Sequence, residues 1–184
     1  LVLICDAGKE RTYSLGNQHS TVRYNISIGD GIRPKPTRQG MFSPGIHIAG
    51  RVEDTRIERN IIHANAKPGK DIDRSMVVSD NWDGYAARTT FSQNIFYAAE
   101  PSCFDLTQST GNVFNGNWYL GDYASLPDDP EQKTDCPVYD ELILSVDKDG
   151  YGGLEKLMKQ RTVCGVKFLF VDKESIENFF GLLQ

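Results

Sequence analysis

An asparagine recurs through the first two thirds of the chain with the same kind of neighbour each time. Four segments carry it: Thr21-Val22-Arg23-Tyr24-Asn25-Ile26-Ser27, Arg56-Ile57-Glu58-Arg59-Asn60-Ile61-Ile62, Thr90-Phe91-Ser92-Gln93-Asn94-Ile95-Phe96 and Val113-Phe114-Asn115-Gly116-Asn117-Trp118-Tyr119. Three positions before each Asn stands Val22, Ile57, Phe91 or Phe114; one position after it stands Ile26, Ile61, Ile95 or Trp118. The Asn-to-Asn intervals are 35, 34 and 23 residues. A period near 23 with insertions of unequal length suits coils stacked into a solenoid. Parallel coils stack at about 4.8 Å, so equivalent residues form ladders. An Asn at a buried bend serves main-chain groups and the Asn of the next coil, which meets the demand that buried polar groups be paired. A sandwich with four coincidental asparagines would not also match every apolar flank.

A second series lies between these segments: Val2-Leu3-Ile4, Ile46-His47-Ile48, Met76-Val77-Val78 and Phe104-Asp105-Leu106. Its first and third positions are always apolar, the period-two signature of a strand with one buried face. That parity places Leu3, His47, Val77 and Asp105 outward. In the Asn segments the outward column is Arg23, Glu58, Ser92 and Asn115, with Arg23 and Glu58 one coil apart and within reach of an ion pair that needs no functional explanation.

The tail differs in kind. Residues 122–138 are polar and contain Leu126-Pro127-Asp128-Asp129-Pro130, a loop. Segments 142–146 and 166–171 read as strands and 153–160, with Leu154, Leu157 and Met158, as a short amphipathic helix. Asp172 is placed to cap a last helix bearing Ile176, Phe179, Phe180 and Leu183 on one face. A solenoid exposes an open edge on its last coil, and this tail is expected to cover it. The expected division is 1–121 for the coils and 122–184 for the cap, giving an all-β right-handed parallel β-helix of about four coils with a small α/β C-terminal cap. The chain reads as strand from Leu1 onward, which leads us to expect the C-terminal part of something longer, with an open first coil available for end-to-end packing.

The R-Y-N-I-S, E-R-N-I-I-H, S-Q-N-I-F-Y and N-G-N-W-Y segments resemble the right-handed parallel β-helix of the pectate-lyase-like superfamily over about residues 1–121. The tail is similar to the strand–helix–strand segment that follows the last coil in some β-helix glycosidases. The resemblance implies a secreted, periplasmic or cell-surface protein acting on a polysaccharide or oligosaccharide, as a glycoside hydrolase or a lyase. Composition excludes other classes. With 20 Lys and Arg against 25 Asp and Glu, the net charge of −5 argues against nucleic acid as a partner. No apolar run is long enough to span a membrane. Cys5, Cys103, Cys136 and Cys164 form no C-x-x-C pair, which removes a zinc ribbon and a thioredoxin motif. A Cys136–Cys164 bridge within the tail is left open by the sequence.

Candidate chemistry falls in the turn after the first strand series, which offers Asp6, Gly50-Arg51, Asp80-Asn81 and Gln108. The insertion after Asp6 holds Lys9, Glu10, Arg11 and Tyr13; the one after Asp80 holds Trp82, Asp83 and Tyr85, with Arg88 close behind. Polysaccharide sites use acidic or basic groups for proton transfer and aromatic faces for stacking, on loops held by a rigid scaffold. Asp6, Asp80 and Asp83 are therefore the candidate catalytic groups, and Lys9, Arg11, Arg51, Trp82, Tyr85 and Arg88 the candidate substrate-binding groups. Two coils separate Asp6 from Asp80, about 9–10 Å, beside the roughly 6.5–9.5 Å of inverting glycosidases. An Asp at a turn also caps backbone amides, and that reading stands beside the catalytic one. A lyase would instead draw on Arg51, Lys9 and Arg11. A calcium-dependent lyase of the family needs several outward acids on one sheet, where this chain offers Asp105.

No cofactor and no metal is expected. His19, His47 and His63 are scattered, and His47 reads as a partly buried structural imidazole. Asp147-Lys148-Asp149-Gly150 has its glycine misplaced for a calcium loop and Met158 where Glu is needed. Asn25-Ile26-Ser27 is a glycosylation sequon whose Asn belongs to the inward ladder. Two further readings remain: a non-catalytic glycan-binding or structural β-helix, and a scaffold whose catalytic coils precede Leu1.

Overall fold

The computed structural model describes residues 2–5, 16–29, 44–64, 75–136 and 152–183. Its strands repeat in order. The first circuit holds β1 (Val2–Cys5), β2 (Asn17–Gln18), β3 (Thr21–Arg23) and β4 (Ile26–Ile28), the second β5 (Ile46–Gly50), β6 (Val52–Glu53), β7 (Arg56–Glu58) and β8 (Ile61–Ala64). The third holds β9 (Ser75–Asp80), β10 (Ala86–Ala87) and β11 (Thr90–Ser92); β12 (Ile95–Asp105) closes it and opens the fourth, which continues through β13 (Ser109–Thr110), β14 (Val113–Asn115) and β15 (Trp118–Tyr123). Each strand pairs in parallel with its counterpart one circuit on. The result is mostly parallel β-sheet with a curled profile, compatible with the β-helix expected from the sequence. Two sheets are 4-stranded (β2-β6-β10-β13 and β3-β7-β11-β14), and the long β12 joins the other two into one 7-stranded sheet.

Strands of two or three residues demand sharp corners, and the backbone supplies two columns of them. His19, Asp54, Arg88 and Gly111 form one, and Tyr24, Arg59, Gln93 and Gly116 the other, all with φ between 53° and 66°. For an L-residue this conformation costs roughly 1–2 kcal/mol. Contacts within each column offset it: Arg59 donates from Nε to Gln93 Oε1 at 2.8 Å and from Nη1 to Tyr24 Oη at 3.2 Å.

The second column sits immediately before the ladder asparagines, and the ladder is as expected. Asn25, Asn60 and Asn94 each donate Nδ2 to Oδ1 of the next Asn, at 2.9, 2.9 and 3.0 Å, while their backbone N–H groups reach the same oxygens at 3.0 Å. Asn117 has no further Asn ahead of it. Lys133 pairs with Trp118 in a short parallel bridge, and the Asp129 carboxylate takes the acceptor's place. Asn25 is tied into the column and also donates to Arg23 O, but at the start of the series it is half-buried.

The two sets of apolar flanks serve different layers. Val22, Ile57, Phe91 and Phe114 point into the core between the sheets, with Phe91 and Phe114 stacked at 4.5 Å. Ile26, Ile61, Ile95 and Trp118 lie beyond the Asn bend on the opposite side of the sheet and pack against the tail. Arg23, Glu58, Ser92 and Asn115 form the predicted outward column, with Arg23 and Glu58 at 3.8 Å.

In the first sheet the expected alignment is corrected by one residue. Ile46 pairs with Val77, and Val77 with Phe104; His47 pairs with Val2 and Val78, and Val78 with Asp105. Val77 is therefore core, not surface, and the outward column holds His47, Val78 and Asp105. Both β1 and β9 are slipped by one residue against β5, each in a continuous register, and because a strand's period is two such a slip exchanges its faces. Between β9 and β12 there is also a bulge: Cys103 faces Ser75 and Phe104 faces Val77, so Met76 is the extra residue.

The tail also departs from expectation. Residues 153–160 are not one helix: a 3-10 turn (Gly152–Leu157) is followed by β16 (Met158–Val163), which pairs antiparallel with the expected strand, β17 (Val166–Val171). Helix α1 (Lys173–Leu182) begins where predicted, with Asp172 accepting from Ser175 N, and buries Ile176, Phe179 and Phe180. These, with Leu154, Leu157 and Cys136, cover Ile61, Ile95 and Trp118, and Phe180 reaches Tyr24 at 6.3 Å. This part of the tail thus lies along the side of the stacked circuits, while Asp129 and Lys133 meet the last one. No disulfide joins Cys136 to Cys164: the first is buried in that layer and the second exposed at the β16–β17 turn. The expected strand 142–146 and the calcium-like stretch 147–150 lie outside the described residues.

Candidate functional site

The corner between the first and second strands of each circuit gathers most of the candidate residues. In the second circuit it is Arg51; in the third it is the loop from Asn81 to Tyr85. That loop is tight: Asn81 Oδ1 accepts from Gly84 N and Gly84 O from Trp82 N, both at 3.3 Å. Gly84, at φ 159°, lies over Arg51, where a Cβ would stand 3.3 Å from Arg51 Cβ. The loop therefore rests on the circuit before it and turns its large side chains outward. Trp82 is 46% exposed and Tyr85 59%. Asp83, between them, has φ 52° and is exposed.

Asp80 is the last residue of β9 and pairs in register with Ala49, one position earlier than its expected equivalence to the Gly50-Arg51 turn. Its Oδ2 lies 3.6 Å from Nε2 of His47, one circuit back. Ala49 and Val78, on the same side of the sheet, are buried, so His47 and Asp80 stand at the margin of a covered face. Burial pushes the His47 pKa down, and the Asp80 charge opposes that shift.

Arg51 and Arg88 are engaged by acids that sequence reasoning overlooked. Arg51 Nε donates to Glu53 Oε1 at 2.8 Å; Arg88 donates to Glu53 Oε2 at 2.9 Å and to both oxygens of Asp54 at 2.7 and 2.9 Å. Hydrogen bonds from Arg51 and Arg88 hold the Glu53 carboxyl below its usual range, and Arg88 does the same to Asp54. Two guanidiniums and two carboxylates form a closed, exposed network that presents little unsatisfied charge. The ladder spacing carries the signal for it: Arg88 is 34 residues from Asp54, the interval that separates Asn60 from Asn94.

The structure thus brings Asp80, Trp82, Asp83, Tyr85 and Arg51 to one corner, with Arg88 joined to it through Glu53. Asp6, Lys9 and Arg11 lie outside the described residues. Asp105 is exposed and accepts from N and Oγ1 of Thr107 in a local turn. His63 is buried and stacked on Tyr97 at 4.3 Å. Among the described residues no group of His, Cys, Asp and Glu is arranged to hold a metal ion, and no helix is long and apolar enough to cross a membrane. No protein-family model matches the chain, and neither a curated protein nor a solved structure is found to be similar to it.

Proposed function

We propose that the chain is a right-handed parallel β-helix of the pectate-lyase-like kind and binds a polysaccharide or oligosaccharide outside the cytoplasm, at the corner that carries Trp82 and Tyr85. The observation behind this reading is the exposed aromatic pair on a five-residue loop braced on the preceding circuit. Sugar rings present C–H faces that stack on aromatic rings, and a loop fixed before binding loses little entropy when it engages them. Asp80 and Asp83 flank Trp82 and offer acceptors for sugar hydroxyls. Calorimetric titration with neutral and acidic oligosaccharides tests it. Trp82→Ala and Tyr85→Ala should each weaken binding about tenfold with the melting temperature unchanged; undiminished binding by the double variant would sink the proposal.

Hydrolysis is the second reading, favoured by the His47–Asp80 pair beside the aromatic loop. An imidazole whose pKa is pushed down by burial is neutral near pH 7 and suited to accept a proton. The assay is release of reducing ends, compared with Asp80→Asn and Asp83→Asn. Ultraviolet absorbance from unsaturated products would indicate a lyase instead.

A further inference from the structure

The β16–β17 hairpin projects from the tail with both faces in solvent. Its turn, Cys164-Gly165, has φ of 50° and 80°, the positive pair that matches the twist of two-residue hairpins. Its base is anchored, where Met158 and Val171 pack against the tail's apolar layer. Beyond the base, Val163, Val166, Leu169 and Phe170 are each between 43% and 55% exposed. A two-stranded hairpin without a packing partner is marginal in water, and this one displays apolar side chains that a partner would cover.

Its charge indicates which partner. No Asp or Glu occurs from Met158 to Val171. Lys159 is taken by Asp172 at 2.7 Å, and Arg161 lies over the Phe170 ring at 5.9 Å. Arg161 and Lys167 have no acidic partner among the described residues. The complementary surface is on the same chain, at the far end of the stacked circuits: Asp122, Asp128, Glu131 and Asp135 are exposed and form no ion pair among the described residues, and Leu126 is exposed between them. Lys133 in that stretch is turned onto Trp118, 3.9 Å from its ring.

We propose that the hairpin of one copy docks on the acidic end segment, residues 122–135, of a second copy. Such a contact joins two different patches, so it closes into a ring or propagates as a chain of copies. Arg161, Val163, Val166 and Phe170 share one face of the hairpin by register, and that face supplies the buried area; Lys167, on the other face, adds to the steering between opposite charges.

Sedimentation velocity across a wide concentration range, in low and in high salt, tests it. Self-association that weakens as salt rises is expected. The double reversal Arg161→Glu/Lys167→Glu should lower the association constant at least about tenfold, as should Asp128→Lys/Glu131→Lys. Mixing the two reversed proteins should restore assembly, since each then meets a complementary surface. Circular dichroism of each variant checks that it folds, and the salt dependence of the unaltered protein stands independently of the variants. A monomer at every concentration, or assembly indifferent to both reversals, overturns the proposal. A monomer that binds polygalacturonate through Arg161 also overturns it and assigns the hairpin to an anionic glycan.

Discussion

The Asp129 carboxylate closes the asparagine column, with its Oδ2 2.9 Å from Nδ2 and 3.0 Å from the backbone N of Asn117. The same carboxylate accepts from Gly116 N at 2.8 Å, Glu131 N at 3.1 Å and Tyr119 Oη at 3.0 Å. Burial raises its pKa, but the hydrogen bonds from Asn117, Gly116 and Tyr119 outweigh that and hold it below the ordinary Asp value. Its stabilisation is present in full above about pH 4 and is lost as pH falls through the folded value. Asp129→Ala leaves several buried donors unmatched and should cost on the order of 3 kcal/mol in urea unfolding. Asp129→Asn should flatten the acid limb of the stability–pH curve; an unchanged limb would count against this account.

The column's interior should matter more than its start. Asn94 is fully buried, donates to Ile57 O at 2.8 Å and to Asn117 Oδ1, and accepts twice from Asn60. Asn25 is half-buried and begins the series. Asn94→Ala should therefore destabilise by about 3 kcal/mol or more and Asn25→Ala by about 1 kcal/mol, measured by denaturant midpoints at constant slope.

His47 should titrate below the usual His value, near 6.5, because burial disfavours its charged form. Asp80 opposes the shift, so Asp80→Asn should move the midpoint lower still, read from the imidazole proton resonances. With the folded pKa depressed, the unfolded chain binds more protons, and this residue's contribution to stability fades as pH drops through the folded value. A midpoint that rises in Asp80→Asn would refute the pairing.

Gly121 allows β15 to lie close to β12. Its φ is 89°, and a Cβ there would stand 2.1 Å from the carbonyl oxygen of Ala98, its partner in register. Gly121→Ala should cost more than about 2 kcal/mol, visible as a lowered melting temperature.

The Asn repeat was legible because each asparagine has a chemical task that recurs at every circuit, and both flanking apolar positions recur with it. Which layer each flank served was not, since Phe91 and Ile95 are equally apolar although the bend at Asn94 sends them to opposite sides. A further polar column, Ser20, Thr55, Thr89 and Asn112, repeats at the ladder's intervals but varies in residue type and so passed unnoticed. The first-sheet register failed in β1 and β9 because both are continuous apolar runs, in which a slip of one residue leaves the pattern unchanged. In the tail, Leu154, Leu157 and Met158 have helical spacing, yet Met158 pairs with Val171 across a hairpin, and only that distant partner decides its conformation. At the candidate site, Trp82 and Tyr85 were readable as large rings in a polar insertion. The engagement of Arg88 required knowing which circuits are neighbours, whereas that of Arg51 by Glu53, two residues along, did not.

The direction of the asparagine column constrains how such a protein can grow. From one side chain of the column to the next the donation runs forward only, each amide oxygen being filled from behind, so the series reads in one sense, and a carboxylate, which only accepts, acts as its full stop. New circuits can be spliced between Asn60 and Asn94, where each junction still offers an acceptor ahead and donors behind. A circuit appended after Asp129 would meet a residue with no hydrogen to pass on. For this architecture, length is editable from within and closed at its C-terminal limit.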